Sequence, residues 1–243
     1  MEKLLAKYGR ITPLRDNEAA AFTGLATKKR DFPAGTTLLS NEIDEPDQLF
    51  IVDSGRLFAS SDLPNGERAI TRLYFSGDIV GTANIPFEHA TQSITVQQDA
   101  VLHIFPRANL IKAFTDIPRV AAIFYTFAAL EGAILNDRLV SVGRTRGRAR
   151  IAALILEIWS RRNLTLLAPE ESFRLGLTQA QIGDAVGLTE VQVNRLFRTM
   201  DEDGLIERSG DLLRILDHDR LCEIGQFRDR YQDLDLNWFK DEF

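Results

Sequence analysis

The spacing of apolar and polar positions divides the chain into stretches of different texture. Met1 to Lys28 reads as helical, with Asp16 placed to cap a turn that carries Ala19, Ala20 and Phe22. From Lys29 to about Arg107 the pattern changes to short β-type runs split by turn signals. Phe32-Pro-Ala-Gly35 and Phe75-Ser-Gly-Asp78 are turns, and Asn65-Gly66 marks a hairpin. The strands expected between them are 36–39, 48–53, 56–59, 69–75, 91–97 and 100–105, with Ser54-Gly55 separating the second from the third. Many short strands at this spacing predict a small antiparallel barrel or jelly roll. Helical period returns from Asn109 to about Gly143, where Pro118 fits a helix start and Val120, Ile123, Phe127, Leu130 and Ile134 fit a seam at 3–4 spacing. Phe124, Ala128, Leu135 and Leu139 widen that apolar surface, so the helix must bury against two things.

The densest signal runs from Leu177 to Ile206. Thr178 caps a first short helix with Gln181 as its reciprocal partner, and Thr189 caps a second with Gln192. Gly187 ends the first helix, and Gly183 suits a close helix crossing. In the second helix Val193, Leu196, Phe197 and Met200 form one apolar stripe. The opposite face carries Val191, Asn194, Arg195 and Arg198, flanked by Glu190 and Gln192. A helix with an apolar back and an Arg/Asn/Gln front suits the DNA major groove, because Arg bonds guanine bidentately and Asn or Gln bonds adenine. Strands around Ser209-Gly210-Asp211 then form a wing, with a further small strand at 172–175. Gly143-Arg-Thr-Arg-Gly147 reads as a hinge whose Arg144 and Arg146, with Arg148 and Arg150, are within reach of DNA phosphates. Asp217 to Phe243 is an acidic, partly helical tail in which Trp238 and Phe239 are candidates for docking on the body.

Composition changes this picture little. The net charge of −6 argues against a general nucleic-acid coat protein, yet residues 143–220 hold 12 Arg and 12 acidic residues, so the acid excess lies elsewhere. There is no apolar segment of signal-peptide type, and the uncharged run 120–130 is shorter than a bilayer requires. A single cysteine, Cys222, allows no internal disulfide and suits a reducing compartment. A cytoplasmic protein without a membrane partner is expected.

The run Thr-x-x-Gln, Ile-Gly, Val-Gly-Leu-Thr, Val-x-Arg-Leu and Gly-Leu-Ile closely resembles the helix-turn-helix of the Crp-Fnr superfamily of transcription regulators. Phe32-Pro-Ala-Gly35, Phe50-Ile-Val-Asp-Ser-Gly55 and Gly77-Asp78-Ile-Val-Gly81 resemble the cyclic-nucleotide-binding sensor of the same superfamily. The resemblance implies an α+β architecture: a sensor β-barrel over 1–116, a dimerisation helix over 117–143, a winged helix-turn-helix over 144–217 and a tail over 218–243. It implies a homodimer bound to double-stranded DNA at a near-palindrome, with RNA polymerase as a further partner if the protein is an activator. Arg195 matches the family's most regular base reader, and Glu190 and Val191 take the other two base-contacting positions. Val191 stands where many relatives have Glu and offers only apolar contact, to a thymine methyl. Asn194 and Arg198 share that face, and Gln179, Thr189 and Gln192 are phosphate or flanking contacts.

The effector pocket departs from the family pattern. Thr82, after Gly81, stands at the position of the ribose-binding Glu, and Gln92-Ser93 at the phosphate-binding Arg-Ser pair. Leu135-Asn136 stand where relatives offer Thr-Ser to adenine. Without Arg, a buried cyclic phosphate loses a charge-assisted bidentate contact, so tight cyclic AMP binding is not expected and the effector stays unknown. An iron-sulfur cluster needs four thiolates, which one cysteine excludes. Haem would need an axial ligand from His89 or His103, which reads better as packing or surface. Cys222 is a further candidate, as a redox switch. The sequence holds no metal cluster and no nucleophilic triad or P-loop pattern, so an enzyme is not expected. The competing class is a small-ligand sensor or adaptor that kept the fold and lost DNA binding.

Overall fold

The structure is a computed structural model that describes all residues except Glu42, Leu167, Pro169 and 240–243. The chain divides into two compact units. One comprises Met1–Ser61, Thr71–Gly132 and Tyr231–Phe243, the other Asp62–Ile70 and Ala133–Arg230.

The first unit opens with helices α1 (Glu2–Ile11) and α2 (Asp16–Gly24). Arg15, not Asp16, is the N-cap residue of α2, and its backbone N–H donates to Glu18 Oε2 at 2.9 Å. Asp16 is instead the first helical residue, where its negative charge favours the helix N-terminus. Six strands follow: β1 (Lys28–Phe32), β2 (Thr37–Leu39), β3 (Gln48–Asp62), β4 (Arg68–Tyr74), β5 (Ile79–Val80) and β6 (Ser93–Pro106). Their order is β1-β6-β3-β4, with β2 on β6 and β5 on β3. The sheet is jelly-roll-like and not closed.

Two sequence expectations merge here. The expected break at Ser54-Gly55 is a bulge inside the single strand β3, and the runs 91–97 and 100–105 are one strand, β6. Gly55 has φ +90°, and a Cβ there would lie 2.4 Å from the Asp99 carbonyl oxygen. Only glycine lets β3 bend that closely over β6. Phe50, Val52, Leu57, Tyr74, Ile94 and Leu102 form the centre of the core.

Helix α3 (Arg107–Asp116) leads to α4 (Pro118–Arg144), and the two units divide within α4, between Gly132 and Ala133. Val120, Ile123, Phe127 and Leu130 are buried in the first unit. Four of the five expected seam positions therefore face the chain's own first unit, and the fifth, Ile134, is half-buried in the part of α4 that belongs to the second. A second 3–4 stripe, Tyr125, Ala128, Gly132, Leu135 and Leu139, is exposed. By length and composition α4 would reach across a membrane. Charged residues nonetheless punctuate it: Arg119 pairs with Glu18, Glu131 with Arg72 and Arg138 with Glu157.

Both ends of the described chain pack in the first unit. Tyr8 of α1 stacks on Phe127, 3.9 Å between ring centroids, and Lys7 forms a buried ion pair with Asp78. Glu18 is fully buried, and both its oxygens accept from Arg119 Nη1, at 2.7 and 2.8 Å. The guanidinium of Arg119 lies 5.2 Å from the ring of buried Phe239. Trp238 meets Tyr125 edge to face, and Lys7 sits over Tyr231. The tail thus docks through Tyr231, Trp238 and Phe239.

The second unit is built on α5 (Gly147–Asn163), followed by β7 (Ser172–Arg174), α6 (Gln179–Val186), α7 (Glu190–Glu202), β8 (Ile206–Ser209), β9 (Leu212–Ile215) and α8 (His218–Gly225). The strands order β7-β9-β8, the wing of a winged helix. Ile151, Ile155 and Ile158 of α5 are buried, and α8 lies along α5 closely enough that a Cβ on Gly225 would stand 2.9 Å from the Ala153 amide nitrogen. The tip of the β3–β4 hairpin belongs to this unit: Arg68 donates to Asp184 Oδ2 of α6 from Nε (3.1 Å) and Nη2 (2.7 Å).

Candidate nucleic-acid interface

Local sequence chemistry sets the geometry of α6 and α7. Thr178 Oγ1 accepts from the Gln181 amide at 3.1 Å, and Gln181 Oε1 accepts from the Thr178 amide at 3.0 Å. The same box closes α7, with 3.3 Å from the Gln192 amide to Thr189 Oγ1 and 2.9 Å from the Thr189 amide to Gln192 Oε1. Each helix start thereby satisfies two amides that would otherwise be orphaned. Gly187 ends α6 in the left-handed region at φ +67°. Gly183 lets the two helices meet, because a Cβ there would fall 2.3 Å from the Leu188 carbonyl oxygen.

With its back fixed, α7 presents one face outward. Val193, Phe197 and Met200 are buried and Leu196 half-buried, as the apolar stripe requires. Glu190, Val191, Gln192, Asn194, Arg195 and Arg198 are exposed, Val191 to 80%. Gln179 joins Glu190, Val191, Asn194, Arg195 and Arg198 around one open concavity. Thr189 and Gln192 engage their side-chain oxygens in the cap. Arg198 is 3.6 Å from Glu202, both largely exposed. Arg195 is exposed and has no ion-pair or hydrogen-bond partner among the described residues. A solvated guanidinium fork without a partner, beside a protruding methyl-bearing side chain, can read a guanine edge and a thymine methyl.

The expected effector residues do not converge. Thr82 lines a cavity of about 30 Å³ with Lys7, Tyr8, Arg72, Asp78 and Glu131. That is room for a water molecule or two, against roughly 300–1,000 Å³ for a ligand site. Gly81, just before it, turns at φ +93° against Leu49. Gln92 and Ser93 are not among the lining residues: Gln92 Nε2 donates to Thr71 Oγ1 at 2.9 Å, and Ser93 Oγ accepts from the Asn41 amide at 3.1 Å. Leu135 and Asn136 are exposed on the part of α4 that belongs to the second unit. Lys7, Tyr8 and Glu131 were not singled out from sequence. The Leu4–Tyr8–Ile11 spacing of α1 marks an apolar face, but not what it covers.

His103 is partly buried, with Nε2 3.3 Å from Asp53 Oδ1. Burial, then the positive amino terminus at Met1, holds its ring below the ordinary value. His89 is exposed on a loop. Burial, then the charges of Asp219 and Asp229, pushes the Cys222 thiol up, which disfavours the reactive thiolate.

A winged helix with a solvated reading face, in a chain that also carries a jelly-roll-like domain, defines a DNA-binding regulator rather than an enzyme. The Crp-like helix-turn-helix domain matches residues 149–224, and the cyclic nucleotide-binding domain matches residues 29–116. The transcriptional regulatory protein btr of Bordetella pertussis is 27% identical over 212 residues, covering 86% of each chain. The fumarate and nitrate reduction regulatory protein of Escherichia coli K12 is 23% identical, covering 87% of this chain and 84% of that protein. FixK2 from Bradyrhizobium japonicum shares the fold with a TM-score of 0.73 at 22% identity, covering 81% of this chain and 96% of its own. The chain belongs to the Crp-Fnr superfamily and is a DNA-binding transcription regulator.

Proposed function

We propose that the protein works as a homodimer that reads a near-palindromic operator with two copies of α7, independently of cyclic AMP. The observation that carries this reading is the outward face of α7, where Arg195 is exposed and unpartnered. Arg195 pairs with guanine, Asn194 with adenine, and Val191 packs on a thymine methyl. Glu190 accepts from a base amino group, and Gln179, Thr189, Gln192 and Arg198 contact the backbone or flanking bases. The exposed α4 stripe of Tyr125, Ala128, Gly132, Leu135 and Leu139 supports pairing across a two-fold axis, since its 3–4 spacing suits a twin helix. Such pairing sets the two heads about one turn of DNA apart. Independence from cyclic AMP is supported by the small cavity at Thr82 and by the engaged Gln92 and Ser93. A soluble cytoplasmic protein fits this reading.

The test is selection of bound duplexes from a random-sequence pool, with and without cyclic AMP. A palindrome enriched equally in both conditions is expected. Enrichment that requires cyclic AMP overturns the effector reading, and no enrichment in either condition favours the adaptor.

A further inference from the structure

Most arginines of the second unit are engaged by partners within the protein. Arg148 pairs with Asp203 at 2.6 Å and Arg208 with Asp201 at 2.7 Å. Arg150 donates to the Thr145 carbonyl from Nε (3.1 Å) and Nη2 (2.9 Å), and to the Val186 carbonyl at the end of α6 (3.3 Å). Besides Arg195, two arginines are exposed without a partner among the described residues: Arg144 and Arg146. The alternation of the sequence is thereby sorted by structure. Arg148 and Arg150 lie inside the first turn of α5, turned into the protein, whereas Arg144 ends α4 and Arg146 precedes α5.

Their place is defined within the unit. Gly147, next to Arg146, packs on the helix-turn-helix: a Cβ there would meet Leu196 Cδ1 at 2.9 Å and Leu188 Cδ1 at 3.1 Å. Leu196 follows Arg195, and Leu188 lies in the turn before α7. The backbone next to Arg146 therefore lies against the turn before the base-reading helix and the apolar side of that helix. No acidic residue stands in the first turn of α5, and no side chain caps it. Two like charges within three residues repel each other, and this stretch of the protein supplies no counter-ion.

We infer that Arg144 and Arg146 are a phosphate clamp, gripping the DNA backbone beside each half-site while α7 reads the bases. The inference rests on the DNA-reading assignment above. Such a clamp fixes the register of the head on the duplex and carries no sequence information. Each contact releases condensed counterions, so the clamp has a salt signature that base contacts lack.

The experiment uses the full-length chain and the double variant R144Q/R146Q, titrated against the selected operator and a scrambled duplex over a salt series. Both side chains are exposed, so the variant should match wild type in circular dichroism and thermal midpoint. Affinity should fall by a similar factor, roughly tenfold, on both duplexes. The slope of log K against log salt should become shallower by about two per protomer. Base preference in a repeated selection should not change. Unchanged affinity and slope, or an altered base preference, overturns the clamp. R195A is the second arm: selective loss on the operator shows that base reading holds even where the clamp fails. A wild-type protein that does not distinguish the two duplexes overturns the base-reading assignment instead, and one that binds neither overturns both.

Discussion

Replacing Gly183 with alanine puts a methyl carbon 2.3 Å from the Leu188 carbonyl oxygen. Ordinary contact begins near 3.4 Å, so α6 and the turn must separate by about 1.1 Å (3.4 less 2.3). The obstacle is backbone, and Leu188 is pinned by its own amide, which donates to the Gly183 carbonyl at 3.1 Å. A rotamer change cannot relieve the clash. Overpacking of this kind costs about 1–3 kcal/mol, or a fall in thermal midpoint of roughly 2–12 °C for a chain of this size. Operator affinity should fall further than stability does, because the displaced turn carries Thr189 and the start of α7. Gly9→Ala is the matched control: Gly9 lies in α1 with nothing within 4 Å of its Cβ, so alanine should stabilise by about 0.5–1 kcal/mol. Thermal scans and mobility shifts on the two variants make the comparison. A Gly183→Ala protein with wild-type midpoint and affinity would refute the claim that helix contact here is backbone-limited.

Further outcomes follow from other parts of the molecule. Arg195→Ala should cost ~1–3 kcal/mol in operator binding and relax one position of each half-site, read by titration against single-base variants. Leu139→Glu puts a charge on the exposed α4 stripe and should shift the protein to monomer in sedimentation velocity, leaving circular dichroism unchanged; a persistent dimer would place the interface elsewhere. Phe239→Ala empties a fully packed site beside Arg119 and should destabilise the sensor unit by about 3–5 kcal/mol, measured by thermal denaturation. His103 titrates below its ordinary 6.5 when folded, because burial disfavours the charged ring. The unfolded chain therefore binds the proton first as pH falls. Stability is fully present above 6.5, is lost as pH drops below that value, and levels off once the folded ring protonates. His103→Gln should flatten the midpoint between pH 7 and 5.5, and an unchanged pH dependence would sink the assignment.

The parts of this fold that sequence announces are those fixed by neighbours a few residues apart. Both capping boxes, the left-handed Gly187 and the tight Gly183 crossing are local chemistry, so α6 and α7 follow residue by residue. Turn residues are less specific. Ser54-Gly55 signals a break and instead makes a bulge, because glycine serves equally where a strand ends and where it bends. On α4 two stripes at 3–4 spacing overlap, and period alone does not say which one faces the protein's own sheet. The partnerships that close the sensor are not local at all. Lys7 and Asp78 are 71 residues apart, Glu18 and Arg119 are 101 apart, and no period encodes either pair. The surroundings of the effector positions are non-local for the same reason: Thr82 shares its small cavity with Lys7 and Tyr8 of α1, far in sequence from the motif that marks it.

The placement of Tyr231–Phe239 has a consequence for how the chain is made. A ribosome releases the first unit's strands early, but the ring that covers Arg119 emerges only after residues 133–230 of the second unit. Until then the buried Glu18–Arg119 pair lies open on one side, while every element of the DNA-reading unit has already been synthesised. In topological terms that unit is an insertion within the sensor, so the molecule cannot be cut into a front half and a back half. A fragment that ends at Arg230 keeps the whole reading head and lacks the sensor's final piece, which supplied as a separate peptide would have to find its own way back.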